Sequence, residues 1–201
     1  MAWHQEHKQQ TREKILASAA YLFTKDGFDN VGINDVMSNA GLTRGAFYAH
    51  FSSKAELYAE AIMNAAMEAG KLSDPSSPNA PSLNKLIKAY LSMEHRNGEK
   101  FRCPLAFLTT DISQRDTQVR DAYTRVFNGF IRRLNTITER KIGQTDNEKS
   151  LQHAVMLIGG LAIARAVNDD RVAQEILSAC EKGLTADLTK LSDENHQNNA
   201  S

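Results

Sequence analysis

The chain lacks most of what would mark an exported protein, a membrane protein or a metalloenzyme. Two cysteines, Cys103 and Cys180, stand in 201 residues, too few for a disulfide framework and in keeping with a reducing cytoplasm. Six histidines show no metal-ligand spacing, so neither a metal nor another cofactor is expected. His153, set in an apolar stretch, reads as a core or interface residue. No run of about 18 apolar residues and no charged-then-apolar leader is present; the reading is cytoplasmic, with no membrane partner. No nucleophile–base spacing or glycine-rich phosphate loop follows residue 80, which argues against an enzyme. Charge of one sign is also missing. Twenty-four basic side chains meet 24 acidic ones, which disfavours the rival reading of a DNA-bridging structural protein that ignores sequence.

What is present is helical periodicity. At 41% hydrophobic residues the chain can fill a normal core, and its length suits one small and one medium domain. Within 9–26, Ile15, Leu16, Ala19, Leu22 and Phe23 form an apolar face of period 3.6. Gly27 follows, where a residue without Cβ can close that helix. A second face, Ile33, Val36, Met37 and Ala40, ends in the same way at Gly41, after a weak cap at Gly32. Thr43 is placed to cap a third helix, in which Phe47 and Phe51 lie one turn apart. Ser53 and Glu56 have capping-box spacing for a fourth, starting near Lys54. Two short helices joined by a tight glycine turn form a helix-turn-helix, whose second helix enters the DNA major groove.

The stretches TREKILASAAYLF (11–23), GF (27–28), INDVMSNAGLTRGAFYAHFSSK (33–54) and ELY (56–58) closely resemble the tetracycline-repressor (TetR) family of bacterial transcription regulators. Gly32 stands where that family mostly has Ser or Thr, and Met37 where it mostly has Ala. The resemblance implies an all-α fold of about nine helices. It places a three-helix reader at 8–54, a connecting helix at 54–71, and a C-terminal helical domain for effector binding and dimerisation.

Chemistry assigns roles within the reader. Arg44 can offer a bidentate fork to guanine O6 and N7. Gly45 and Ala46 let the helix lie close to the base edges, and Ala46 can meet a thymine methyl. Tyr48 and His50 are similar to the family's phosphate contacts. Lys54 would add a charge and a helix N-terminus to another phosphate, while Asn34 and Thr43 are further contacts from the second helix and the turn. Residues 1–54 hold six Lys or Arg against five acids, so attraction must be local, and such a reader gains affinity by dimerising over two half-sites of a near-palindromic double-stranded operator.

The segment 72–81, rich in Pro and Ser, reads as a loop before a domain at 82–192, and the polar stretch 193–201 as a disordered tail. Leu83, Leu86, Ile87, Tyr90 and Leu91 make an amphipathic helix that Gly98 breaks, and Pro104 opens a short one. A long helix carries Val119, Tyr123, Val126, Phe127, Phe130, Leu134 and Ile137. Thr145 and Glu148 box the next, and a last helix holds Val172 to Leu191. The final two helices are the expected dimer surface, through Val155, Ile158, Ala162, Ile176 and Leu184; in the resembled family they form a four-helix bundle with a second subunit. Tyr90, Cys103, Phe107, Tyr123 and Phe127 are candidates for the wall of a pocket for an unidentified small apolar or amphipathic effector. Cys103, just before Pro104 and near Lys100 and Arg102, carries an alternative reading as a redox or electrophile sensor. The expected function is a homodimeric repressor released from its operator by that effector.

Overall fold

The computed structural model describes residues 2–71, 81–99, 102–142 and 146–198. The expected loop at 72–81, apart from Pro81, lies outside these residues, as do Lys100, Thr145 and the end of the expected tail. Every regular element among the described residues is an α-helix: α1 Ala2–Asn30, α2 Ile33–Asn39, α3 Arg44–Phe47, α4 Lys54–Lys71, α5 Leu83–Tyr90, α6 Met93–Asn97, α7 Pro104–Phe107, α8 Thr109–Ile112, α9 Thr117–Ile142, α10 Asn147–Ala166 and α11 Asp170–Asn198. The surplus over nine comes from short pieces. Ser92 starts one of them, accepting from His95 N–H at 3.1 Å, so the helix that opens at Leu83 breaks there, before Gly98. Residues of the expected tail extend α11 to Asn198, because that stretch contains neither Gly nor Pro to stop it.

The chain forms two compact units, one of residues 1–70 with 102–126, the other of 71–101 with 127–201. The stretch 82–192 is therefore divided, its short helices α7 and α8 belonging with the reader. In the first unit Ile15, Ala19, Phe23, Val36, Met37, Phe47, Phe51, Leu57, Tyr58 and Ile62 share one core with Leu108, Ile112, Val119 and Ala122. Sequence periodicity cannot foresee such a long-range partnership.

Local signals explain where these elements stop. Gly27 adopts φ 78°, ψ 172°, a region essentially reserved for glycine, and breaks α1 as expected. At Gly41 (φ 70°), Leu42 N–H reaches Met37 O at 2.9 Å and Gly41 N–H reaches Ser38 O at 3.0 Å, a Schellman closure of α2. Gly32 N–H donates to Asp35 Oδ2 at 2.7 Å, the half of a capping box that needs no side chain on the N-cap residue.

In the second unit α10 packs along α11, with α5 and α6 against both. A methyl group on Gly160 would lie 2.7 Å from Cys180 Sγ, so glycine at this position permits the helices' close approach. Asp146 caps α10, accepting from Lys149 N–H at 3.0 Å. Arg96 clamps the α10–α11 turn: Nε and Nη2 donate to the carbonyls of Ala164 and Val167, each at 2.9 Å, and Nη1 pairs with Asp170 at 2.7 Å. A cation is favourable beside such unpaired terminal carbonyls.

Replacing Gly27 with Ala forces a side chain into that Gly-only conformation and is expected to cost about 1–3 kcal/mol of stability. Urea denaturation checks this; an unchanged midpoint would contradict the assigned backbone role.

Candidate nucleic-acid interface

The reader is fixed to its scaffold by few but specific contacts. Ser18 Oγ donates to Val36 O at 2.8 Å and accepts from Asn39 Nδ2 at 2.8 Å, bolting α2 to α1. The buried rings of Phe47 and Phe51 stack at 5.8 Å and anchor α3 from beneath. The Arg12 guanidinium lies 4.8 Å from the Phe51 ring centroid and pairs with Glu60 of α4. With its apolar side consumed, α3 leaves its other residues to solvent. Asn34, Thr43, Arg44 and Gly45 are exposed, Ala46 is half-buried, and Tyr48 is 60% exposed.

The exposed Tyr48 ring and the Arg44 fork, which has no hydrogen-bond or ion-pair partner among the described residues, suit an anionic groove. Thr43 occupies the N-cap position of α3 without a side-chain capping bond, so its hydroxyl is not used up in the turn. A Cβ on Gly45 would meet only Thr43 Oγ1, at 4.0 Å. Nothing within the chain demands glycine there.

Two expected contacts are qualified by geometry. His50 is half-buried; burial, followed by the nearby charges of Lys8 and Arg12, lowers its pKa, so at neutral pH it can offer a hydrogen bond but little cationic charge. Lys54 is engaged internally. Its Nζ donates to Phe28 O at 2.5 Å and sits 4.0 Å from the Phe28 ring centroid, and burial lowers its pKa despite the opposing pull of Asp29. The capping box also differs: Ser53 Oγ accepts from Glu56 N–H at 3.0 Å, but the Glu56 carboxylate bonds Ser52 N–H at 2.7 Å.

Lys8 and Arg12 are basic residues that the motif-based reading passed over. They lie one turn apart on α1 and act electrostatically on His50. The available signal was their four-residue spacing on a helix whose next turns pack under the reader.

The pocket candidates are split. Cys103, Phe107 and Tyr123 belong to the first unit, Tyr90 and Phe127 to the second. Tyr123 Oη donates to Leu105 O at 2.8 Å, and the Tyr90 ring packs on His95 at 4.7 Å and Phe130 at 5.9 Å. Cys103 is 7% exposed at the N-cap of α7, and Arg102 lies over the Tyr21 ring; burial shields such a thiol from oxidants. Among the dimer candidates Val155 is 59% exposed and Ala162 and Ile176 are half-buried, whereas Ile158 and Leu184 are covered within their own unit. Among the described residues no cluster of three or more His, Cys, Asp or Glu could hold a metal ion, and no helix is long and apolar enough to cross a membrane.

Residues 15–61 match the family model of bacterial regulatory proteins, tetR family. An uncharacterized HTH-type transcriptional regulator from Lactococcus lactis is 27% identical over 130 residues, covering 62% of this chain and 66% of that protein. The HTH-type transcriptional regulator AcrR of Shigella flexneri is 38% identical over 55 residues, 27% of this chain and 26% of its own length. Both matches thus span less than two thirds of the relative. In three dimensions, a TetR-family transcriptional regulator from Cytophaga hutchinsonii superposes with a TM-score of 0.74 at 19% identity, over 90% of this chain and 96% of that one. The exposed segment thus carries the signature of bacterial tetR-family regulatory proteins, on a fold shared with a solved TetR-family regulator.

Proposed function

We propose that the protein represses transcription as a homodimer that reads two half-sites of a near-palindromic operator and is released by a small apolar or amphipathic effector. The observation that carries this reading is the exposure of Thr43, Arg44, Gly45 and Tyr48 on a reader that is otherwise pinned into its core. Arg44 reads base edges; Asn34, Thr43, Tyr48 and His50 position the head on the backbone, with Gly45 and Ala46 allowing close approach. Lys8 and Arg12 add positive charge next to His50. Lys54 contributes by fixing the start of α4, and its ammonium would have to leave Phe28 to meet a phosphate.

A net charge of zero supports dimerisation. Few phosphate contacts per subunit give weak binding, and a second half-site multiplies it. The surface that suits a second copy is a stripe along α10, Leu151, Val155, Gly159 and Ile163, each four residues from the last. Val155 and Ile163 (57% exposed) are large apolar side chains in water, and nothing lies within 4 Å of a Cβ built on Gly159, so a partner helix could approach closely. Ala162 and Ile176 flank such an interface, while Ile158 and Leu184 support it from within. Occupancy of an operator suffices to block transcription, whereas activation needs a further surface. Because half-sites must match one turn of B-DNA, roughly 34–36 Å, a small change in head spacing weakens both contacts together. Phe107 and Tyr123 of the first unit are the effector-facing candidates, and Cys103 a packing neighbour.

Four outcomes are expected. In gel shifts on the DNA preceding its own coding sequence, Arg44→Ala loses preference for that fragment over a scrambled duplex; retained discrimination would remove the base-readout assignment. Lys8→Ala weakens both duplexes alike and shallows the salt dependence by about one contact, and an unchanged slope argues that Lys8 touches no phosphate. Gly45→Ala raises helix propensity, by up to about 1 kcal/mol, yet lowers DNA affinity; a more stable variant with full affinity would show that close approach is not needed there. Val155→Asp with Ile163→Asp yields monomers in sedimentation analysis, and a persistent dimer would move the interface elsewhere.

A further inference from the structure

A charge cluster of the first unit lies at the end of α1, where it meets the start of α4 and α8. Arg115 makes two bonds to Asp29, Nη1 to Oδ1 at 3.0 Å and Nη2 to Oδ2 at 2.6 Å. Its Nη2 also pairs with Asp111 Oδ1 at 2.9 Å, and its Nε donates to Asp111 O at 3.2 Å. The other Asp111 oxygen accepts from Tyr58 Oη of α4 at 2.5 Å. The Arg115 guanidinium lies 4.6 Å from the Phe28 ring centroid, the same ring that Lys54 approaches at 4.0 Å. Two cations thus lie over one aromatic side chain directly after the Gly27 break, and two carboxylates hold one of those cations.

This arrangement suits orientation better than stability. Asp29 is 72% exposed while Arg115 is only 14% exposed, and an ion pair with one partner in water contributes little to folding. A bidentate guanidinium–carboxylate pair nevertheless sets direction as well as distance. Here it fixes the backbone of residues 28–30, from which α2 departs, and Phe28 in turn holds the first residue of α4 through its carbonyl and ring. The carboxylate of Asp111 ties α8 to both.

We propose that Arg115 is a positioning residue for DNA reading: with Asp29 and Asp111 it locks the α1–α2 turn and the start of α4, so that residues 109–116 set how α2 and α3 are presented. The proposal rests on the chain being a sequence-reading DNA binder, and it makes this segment the place from which that binding is tuned. Any event that shifts α8 changes the reader without touching a DNA contact.

The test compares wild type, Arg115→Gln and Asp29→Asn in gel shifts over a range of salt. The probes are the fragment preceding the protein's own coding sequence and a scrambled duplex, with thermal unfolding measured in parallel. Both variants are expected to lose roughly tenfold in affinity for the specific fragment, with the wild-type slope of log affinity against log salt, and the double variant should lose no more than either single one. Asp29→Asn is the decisive arm. Removing an acidic charge from a DNA-binding head strengthens binding on electrostatics alone, so weakened binding reports lost positioning. Because Asp29 is exposed, this variant also serves if Arg115→Gln fails to fold. Unchanged or tighter binding by Asp29→Asn overturns the proposal, as do additive losses in the double variant or a slope shallower by one contact in Arg115→Gln. If wild type does not distinguish the two duplexes, the functional reading fails and takes this proposal with it; if wild type discriminates and Asp29→Asn is unaffected, only the proposal fails.

Discussion

The helix-turn-helix head hangs on the sharp reversal at Gly27. A backbone at φ 78°, ψ 172° kinks the long first helix near its end, and Phe28 packs against the core. Phe28 then lies 6.0 Å from Phe23 and 5.0 Å from Tyr58, so one ring joins the first helix to the fourth. Val31, three residues on, is buried, and α2 begins after Gly32. With the start of α2 and the start of α4 both referred to Phe28, the short recognition helix between them has little freedom. Its four regular residues could not hold a helical shape alone, since isolated short helices are marginal in water. Phe47 and Phe51 supply what propensity does not.

Electrical neutrality shapes the rest. A strongly basic protein can hold DNA by charge and read it loosely, whereas this chain has equal numbers of acids and bases. Several of the cations in the first unit are already engaged: Arg12 with Glu60, Lys54 with Phe28, Arg115 with Asp29 and Asp111. Internal pairing of this kind fixes orientation but leaves less charge for phosphate. Under the proposed function, the exposed Arg44, Tyr48 and Lys8 would carry a larger share of recognition, with geometry outweighing net attraction.

Much of this was legible before any coordinates. The positions of Gly27 and Gly41 as helix terminators, the inward faces of the first three helices, Pro104 at the first turn of its helix and the exposure of Arg44 follow from local rules, because a terminator or an amphipathic face acts within a few residues. The motif across 11–58 carried the family resemblance for the same reason. Less legible were features that depend on distant partners. Ser53 and Glu56 have capping-box spacing, yet Glu56 turned to Ser52, one residue upstream. Ile158 and Leu184 carry the same apolar signal as Val155, and only packing of α10 on α11 separates covered from exposed. The five aromatic and thiol residues grouped as one pocket fall into two units, since sequence proximity to a long helix does not tell which part of it packs where.

By itself, the sequence determined that the chain is all-helical, that its first third is a helix-turn-helix, and which residue types face outward from it, all consequences of periodicity and backbone sterics. Tertiary structure alone decided that residues 102–126 join the reader's core, that Lys54 is spent on Phe28, and that Arg115 reaches Asp29 across 86 residues of chain. The division has a physical cause. Helix limits are set by neighbours along the chain, but a charge is committed only once folding has chosen which groups lie within hydrogen-bond reach.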